Sequence, residues 1–145
     1  MSLRRRFLFT AVLGTALAAC GSDSTGANAS VVSTWTLTKF EFTNDANAAQ
    51  HTDIIALGGH GTITFNANLT WANAVTLPGG GSFNGGGTYT ETATTLTIVT
   101  NGQPPSTSVF TKTVTSTTLT LTGGAATFDF GAGDVPAHIN VTATR

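Results

Sequence analysis

Charge is what this 145-residue chain has least of: Asp, Glu, Lys and Arg together make up 9% of it, and half of its six basic residues are consecutive, at Arg4-Arg5-Arg6. Beyond them only Lys39, Lys112 and Arg145 carry a fixed positive charge. Three scattered cations cannot be assembled into a basic patch, which excludes nucleic acid as a partner and electrostatic docking on anionic lipid. Carboxylates are too sparse to nominate a glycosidase pair. Cysteine occurs once, at Cys20, so no disulfide within the chain can staple the fold and stability must come from an apolar core. The apolar run from Phe7 to Ala19 is too short to cross a bilayer as a helix, and no helical period follows it.

What stands at the N-terminus is an address. Three arginines, a short apolar run and small residues after it are the anatomy of an export signal. Leu17-Ala18-Ala19-Cys20 resembles the lipobox of bacterial lipoproteins, which implies cleavage before Cys20 and a diacylglycerol thioether on its sulfur. On that resemblance residues 1–19 are a signal peptide, and no thiol remains for a thiolate metal site or Cys-based catalysis. Arg4-Arg5-Arg6-Phe7-Leu8 also resembles a twin-arginine signal, although Leu3 stands where that family has Ser or Thr, so the export route stays open. The partner implied is a membrane, held through lipid on Cys20: each buried methylene contributes about 0.8 kcal/mol, and two or more acyl chains anchor stably where one exchanges. The expected location is the bacterial cell envelope. Gly21, in place of the Asp that retains some lipoproteins at the inner membrane, favours the outer one.

From Cys20 onward three cations face seven carboxylates, a formal charge of −4. Residues 20–30 are small and polar and are expected to form a flexible tether, with a root-mean-square span of about 17 Å for ten such residues. Residues 31–145 suit one domain with one core, expected as a monomer. Threonine occupies 28 of the 126 positions from Cys20 to Arg145, much of it alternating with apolar residues, which is the pattern of half-buried strands. The first strand is expected from Val32 to Phe42. Trp35 and Leu37 lie on one face and Phe40 and Phe42 on the other, so a bulge or twist is expected near Thr38 or Lys39. Thr43 to Thr52 reads as a polar loop and Asp53 to Leu57 as a short strand. Gly61 to Thr76 reads as a hairpin turning at Asn66-Ala67-Asn68, with Leu69, Trp71 and Val75 on one face. Further strands are expected at Gly87–Thr92, Thr95–Thr100, Val109–Thr115, Thr118–Thr122, Ala126–Phe130 and His138–Thr144. Gly79 to Gly87 reads as a mobile loop.

Eight or nine short strands joined in sequence predict an all-β fold: an up-and-down antiparallel β-barrel, with a β-sandwich as the alternative. Trp35-Thr36-Leu37, Gly61-Thr62-Ile63-Thr64-Phe65, Gly87-Thr88-Tyr89, Leu96-Thr97-Ile98 and Leu119-Thr120-Leu121 resemble the small bacterial lipocalin-like lipoproteins, over nearly all of the domain. Ser33 stands where the lipocalin Gly-x-Trp has Gly. The resemblance implies a structural stack of Arg145 on Trp35 and a small apolar or amphipathic ligand.

Catalytic chemistry is not signalled. His51, His60 and His138 lack metal-ligand spacing, Asn84 breaks a G-x-S-x-G elbow around Ser82, and the Gly79–Gly87 stretch has neither the helix nor the Lys of a phosphate cradle. No enzyme, no cofactor and no metal are therefore expected. Alternation instead turns polar residues inward: Asn73 shares a face with Trp71, Glu91 with Tyr89, and Lys112 with Phe110. Trp71, Asn73, Tyr89, Glu91 and Lys112 are the candidate ligand-binding residues, with pairing of Glu91 to Lys112 as the plainer alternative. A barrel filled by its own side chains would instead serve as an interaction module, meeting protein or glycan through its loops or outer face.

Overall fold

The computed structural model describes Ala29–Arg145; Cys20, the signal peptide and residues 20–28 of the tether lie outside the described residues. Among the described residues nine strands and no helix form: β1 (Ser33–Asn44), β2 (Asn47–Asp53), β3 (His60–Phe65), β4 (Thr70–Thr76), β5 (Ser82–Glu91), β6 (Thr95–Thr100), β7 (Thr107–Val114), β8 (Thr118–Asp129) and β9 (Asp134–Thr144). From β3 to β9 each strand pairs antiparallel with the next. β9 then returns to β1, from Thr36↔Thr144 to Asn44↔Ala137. This makes a closed eight-stranded, up-and-down, lipocalin-like β-barrel with β2 as an extra strand. Closure leaves no long edge of the eight free for another chain.

β1 organises the closure because its two halves serve different neighbours. On one edge Ser33–Thr36 pair with β3 and Glu41–Asn44 pair with β2, while the other edge runs along β9. The register along β9 slips between Leu37 and Lys39, where the parity of the aromatic residues required a bulge. Thr38 Oγ1 donates to the Thr142 carbonyl there, at 3.1 Å. Trp35 and Leu37 before the slip and Phe40 and Phe42 after it therefore all join one core.

Several local expectations are corrected. Thr43–Thr52 is not a loop, since Asn47–Asp53 form β2, a strand with no apolar alternation that exists because the second half of β1 offers it an edge. Ile54 to Gly58 turn instead of extending: Leu57 N–H donates to the Asp53 carbonyl at 3.2 Å and Gly58 N–H to that of Ile55 at 3.0 Å. Leu69 does not face inward. It takes the last position of the β3–β4 turn with φ 63°, and half of it is exposed. Ser82 to Gly87 belong to β5 and pair with β4, so the glycine-rich stretch is wall and not loop. Ala126–Asp129 are not a separate strand but the continuation of β8 past a second register slip between Leu121 and Gly124; Gly123 takes φ 83° there, where a side chain would be strained.

The barrel has two unlike ends. The β3–β4, β5–β6 and β7–β8 turns gather at one, together with Ala29 and Arg145. The β4–β5, β6–β7 and β8–β9 connections and the tip of the β1–β2 hairpin gather at the other.

Candidate ligand-binding site at the open end of the barrel

The first of these ends is closed by side chains. Trp35 is fully buried and its Nε1–H donates to the Val31 carbonyl at 2.7 Å, so the segment before β1 is drawn across the barrel floor. Lys112, with only 2% of its side chain exposed, donates to Glu91 Oε2 at 2.6 Å and to the Ala29 carbonyl at 3.4 Å. Ser30 Oγ and Val31 N–H donate to the two Glu91 oxygens at 2.8 and 3.3 Å. Burial pushes the Glu91 carboxyl up, but hydrogen bonds from Lys112, Ser30 and Val31 outweigh it, and its pKa settles below the ordinary value. Ser30 is therefore bonded to the barrel, and the tether as a free segment cannot extend to residue 30.

Arg145 lies over Trp35, its guanidinium carbon 4.5 Å from the ring centroid. Its Nε–H donates to the Ser116 carbonyl at 2.9 Å, which pins the last residue to the β7–β8 turn. A cation–π contact of this kind contributes about 0.5–1 kcal/mol at an exposed site. Tyr89 is also in this half, 2% exposed, with its hydroxyl donating to the Asn66 carbonyl at 2.9 Å and its ring edge-on to Phe65. Tyr89, Glu91 and Lys112 thus hold the floor together, and none of the three lines the cavity described next. They face inward as expected, but Lys112 and Glu91 bond each other and Tyr89 bonds the Asn66 carbonyl, so their polar groups are taken up within the closed end.

The opposite end is open and apolar. A cavity of about 600 Å³ lies there, walled by Phe40, Phe42, Ile54, Leu77, Phe83, Phe128 and Ile139 together with small and hydroxyl-bearing residues, and by no ionisable side chain. Beneath it a space of about 110 Å³ shares Phe40, Phe83, Thr100, Ser108 and Ile139 with the upper cavity, and reaches Trp71 and Asn73. Of the five sequence candidates, the structure brings these two together at the site.

Aromatic rings define the rim. Phe83 stacks on Phe40 at 6.3 Å, Phe40 meets Phe42 edge-on at 5.2 Å, Phe42 stacks on Phe128 at 4.4 Å and Phe128 meets Phe130 at 4.8 Å. Five of the seven phenylalanines in residues 29–145 are thus one connected chain. Each such pair contributes about 0.5–1.5 kcal/mol beyond the area it buries, enough to hold the rim in shape. Phe83 nevertheless remains 47% exposed, so the rim presents apolar surface to whatever enters.

Glycine on β5 makes room for the two inward side chains of β4 that this site uses. Gly85 and Gly87 pair with Asn73 and Trp71, both inward-facing on β4. A methyl on Gly85 would lie 2.8 Å from Asn73 Oδ1 and 3.4 Å from the Trp71 ring, and one on Gly87 would collide with the Val99 carbonyl. Glycine at 85 lets Trp71 and Asn73 lie against β5, and glycine at 87 lets the neighbouring strand's Val99 carbonyl approach closely. The Trp71 indole N–H donates to the Val99 carbonyl at 3.2 Å, and Gly85 N–H donates to Asn73 Oδ1. On the far wall Ser108 Oγ donates to the Ala125 carbonyl at 2.7 Å, and the Thr100 and Ser106 hydroxyls bond each other at 2.8 Å.

Histidines stay outside this space. His138 Nδ1 lies 2.8 Å from Asp45 Oδ1, and His51 Nδ1 lies 3.4 Å from Glu41 Oε2. No group of three ligating side chains able to hold a metal occurs among the described residues. Searches of known protein families, of curated proteins and of solved structures give no match to this chain.

Proposed function

We propose that the protein is a lipid-anchored envelope protein that binds a small apolar or amphipathic molecule in the open end of its barrel and performs no catalysis on it. The observation that carries the binding half is the roughly 600 Å³ cavity, rimmed by phenylalanine and free of charge. Its volume falls within the range of small-molecule sites, about 300–1,000 Å³, and its lining is that of an apolar ligand. An interaction module would need no such volume. The anchoring half rests on Arg4-Arg5-Arg6 and Leu17-Ala18-Ala19-Cys20, and on a barrel whose mouth is left clear because the chain enters at the other end.

Native mass spectrometry of protein extracted from its own membranes tests both halves. The expected mass is that of a chain beginning at lipid-modified Cys20, with a small non-covalent companion released at higher collision energy. In solution, diphenylhexatriene is expected to brighten on binding, and Ala126→Trp, which fills the cavity from an inward position on β8, is expected to abolish the signal while leaving the circular dichroism spectrum unchanged. Equal dye binding by the Ala126→Trp variant, or none by the wild type, overturns the carrier reading.

A further inference from the structure

Asn73 is the one polar group of the inner space whose donors are uncommitted. Three polar residues line that space: Asn73, Thr100 and Ser108. Ser108 donates to the Ala125 carbonyl, and Thr100 Oγ1 is engaged with both Ser106 Oγ and the Ser106 carbonyl. The Trp71 indole is spent on Val99. Asn73 differs: its Oδ1 accepts from Gly85 N–H, which fixes which way the amide is turned, and its Nδ2 has no partner among the described residues. No buried polar side-chain atom is left unbonded among the described residues, so this Nδ2 is reachable from the space it lines.

The charges around the barrel sharpen this. The cavity walls contain no Lys, Arg or His, and every cation of the domain is engaged elsewhere: Lys39 with Glu41, Lys112 with Glu91, Arg145 with Trp35 and Ser116. A carboxylate or phosphate brought to the floor of this cavity would be desolvated with no counter-charge, which is costly. A neutral acceptor would meet an amide N–H.

Building on the binding role above, we infer that the ligand is a neutral apolar molecule bearing a carbonyl, such as a long-chain ester or ketone, held with its carbonyl oxygen accepting from Asn73 Nδ2 and its apolar body among the phenylalanines of the rim. Asn73 is then the specificity-determining residue, selecting carbonyl compounds over both hydrocarbons and fatty acids of the same length.

The test uses four matched probes: a naphthyl alkyl ketone, the same molecule with CH₂ in place of C=O, the corresponding carboxylate, and the corresponding amine. Affinities are compared for wild type, Asn73→Leu and Asn73→Asp. The wild type is expected to prefer the ketone to the CH₂ compound by about fivefold, the worth of one net hydrogen bond, and to bind the carboxylate weakest. The ketone's carbonyl stretch is expected to move to lower frequency on binding. Asn73→Leu should erase both the preference and the frequency shift while retaining the CH₂ compound. Asn73→Asp keeps an acceptor for Gly85 N–H and should turn the preference toward the amine at pH 8, an exchange that a merely structural residue would not produce. Equal binding of ketone and CH₂ compound by the wild type, or an unchanged ketone preference in Asn73→Leu, overturns the inference and leaves the carrier reading standing. Failure of all probes to bind the wild type overturns both.

Discussion

Replacing Glu91 with Ala is expected to lower the unfolding free energy by about 3–5 kcal/mol, the cost of stranding a buried charge. The charge is Lys112, with 2% of its side chain exposed and, once the carboxylate is gone, only the Ala29 carbonyl to bond. The same change removes the acceptor of Ser30 Oγ and Val31 N–H, so the segment across the floor loosens with it. Pairing Glu91→Leu with Lys112→Met is expected to recover most of the loss, because two apolar groups of similar volume carry no desolvation penalty. Urea unfolding of the single and double variants decides the point. A single-variant loss within the surface range, about 1 kcal/mol or less, would mean that Lys112 finds water.

Acid supplies an independent reading of the same pair. Because the Glu91 pKa is depressed in the folded state, its contribution is present above the unfolded glutamate value, roughly 4.3, and disappears as the pH falls through the folded value. Glu41, held down chiefly by its hydrogen bond from Lys39, acts in the same direction. The wild type is therefore expected to lose stability below about pH 4.3, and Glu91→Gln to lose less over that interval. Superimposable stability–pH curves for the two proteins would contradict the assignment.

The second large effect is expected at Trp35. Its replacement by Ala should cost about 3–5 kcal/mol, as for a large aromatic side chain removed from a packed core. Three things depend on the indole: the centre of the floor, the hydrogen bond to the Val31 carbonyl, and the surface on which Arg145 lies. Trp35→Phe keeps a ring for packing but leaves that carbonyl without its donor, and is expected to cost about 1–3 kcal/mol. Far-ultraviolet circular dichroism follows both, with Trp71 fluorescence as a second probe. Equal losses in the two variants would show that the N–H, and not the volume, is what matters.

Much of the architecture is legible in alternation alone, and the exceptions share a physical cause. Ile63 and Phe65, Leu96 and Ile98, and Leu119 and Leu121 read directly as inward pairs. The change of parity between Leu37 and Phe40 announces the bulge. β2 is illegible because Asn47–Asp53 carry no buried face; a strand made only by a neighbour's free edge leaves no periodic trace. The cavity is illegible for a related reason. Its walls are set by where the strands end and by small residues such as Ala126, and the glycine run reads as a loop although it is paired wall against which Trp71 and Asn73 lie. Parity also turned Glu91 and Lys112 inward without saying at which end. Strand direction would have told: β5 and β7 both run toward the closed end, and both residues lie late in their strands. Trp71 and Asn73, early and central in a strand running the other way, sit lower than the rim and reach the floor of the cavity.

The bonds that tie Ala29, Ser30 and Val31 across the barrel floor also give the molecule a posture. A lipid on Cys20 would fasten this cup from the side of its base, so that the point of attachment and the mouth are at opposite ends. The mouth would then look away from the bilayer that holds the protein, toward the aqueous compartment. Cargo would be collected from solution, or from a donor approaching on that side, and not drawn straight up from the lipid beneath. Shortening the linker would bring the base nearer the headgroups and restrict how far the opening can tilt toward them.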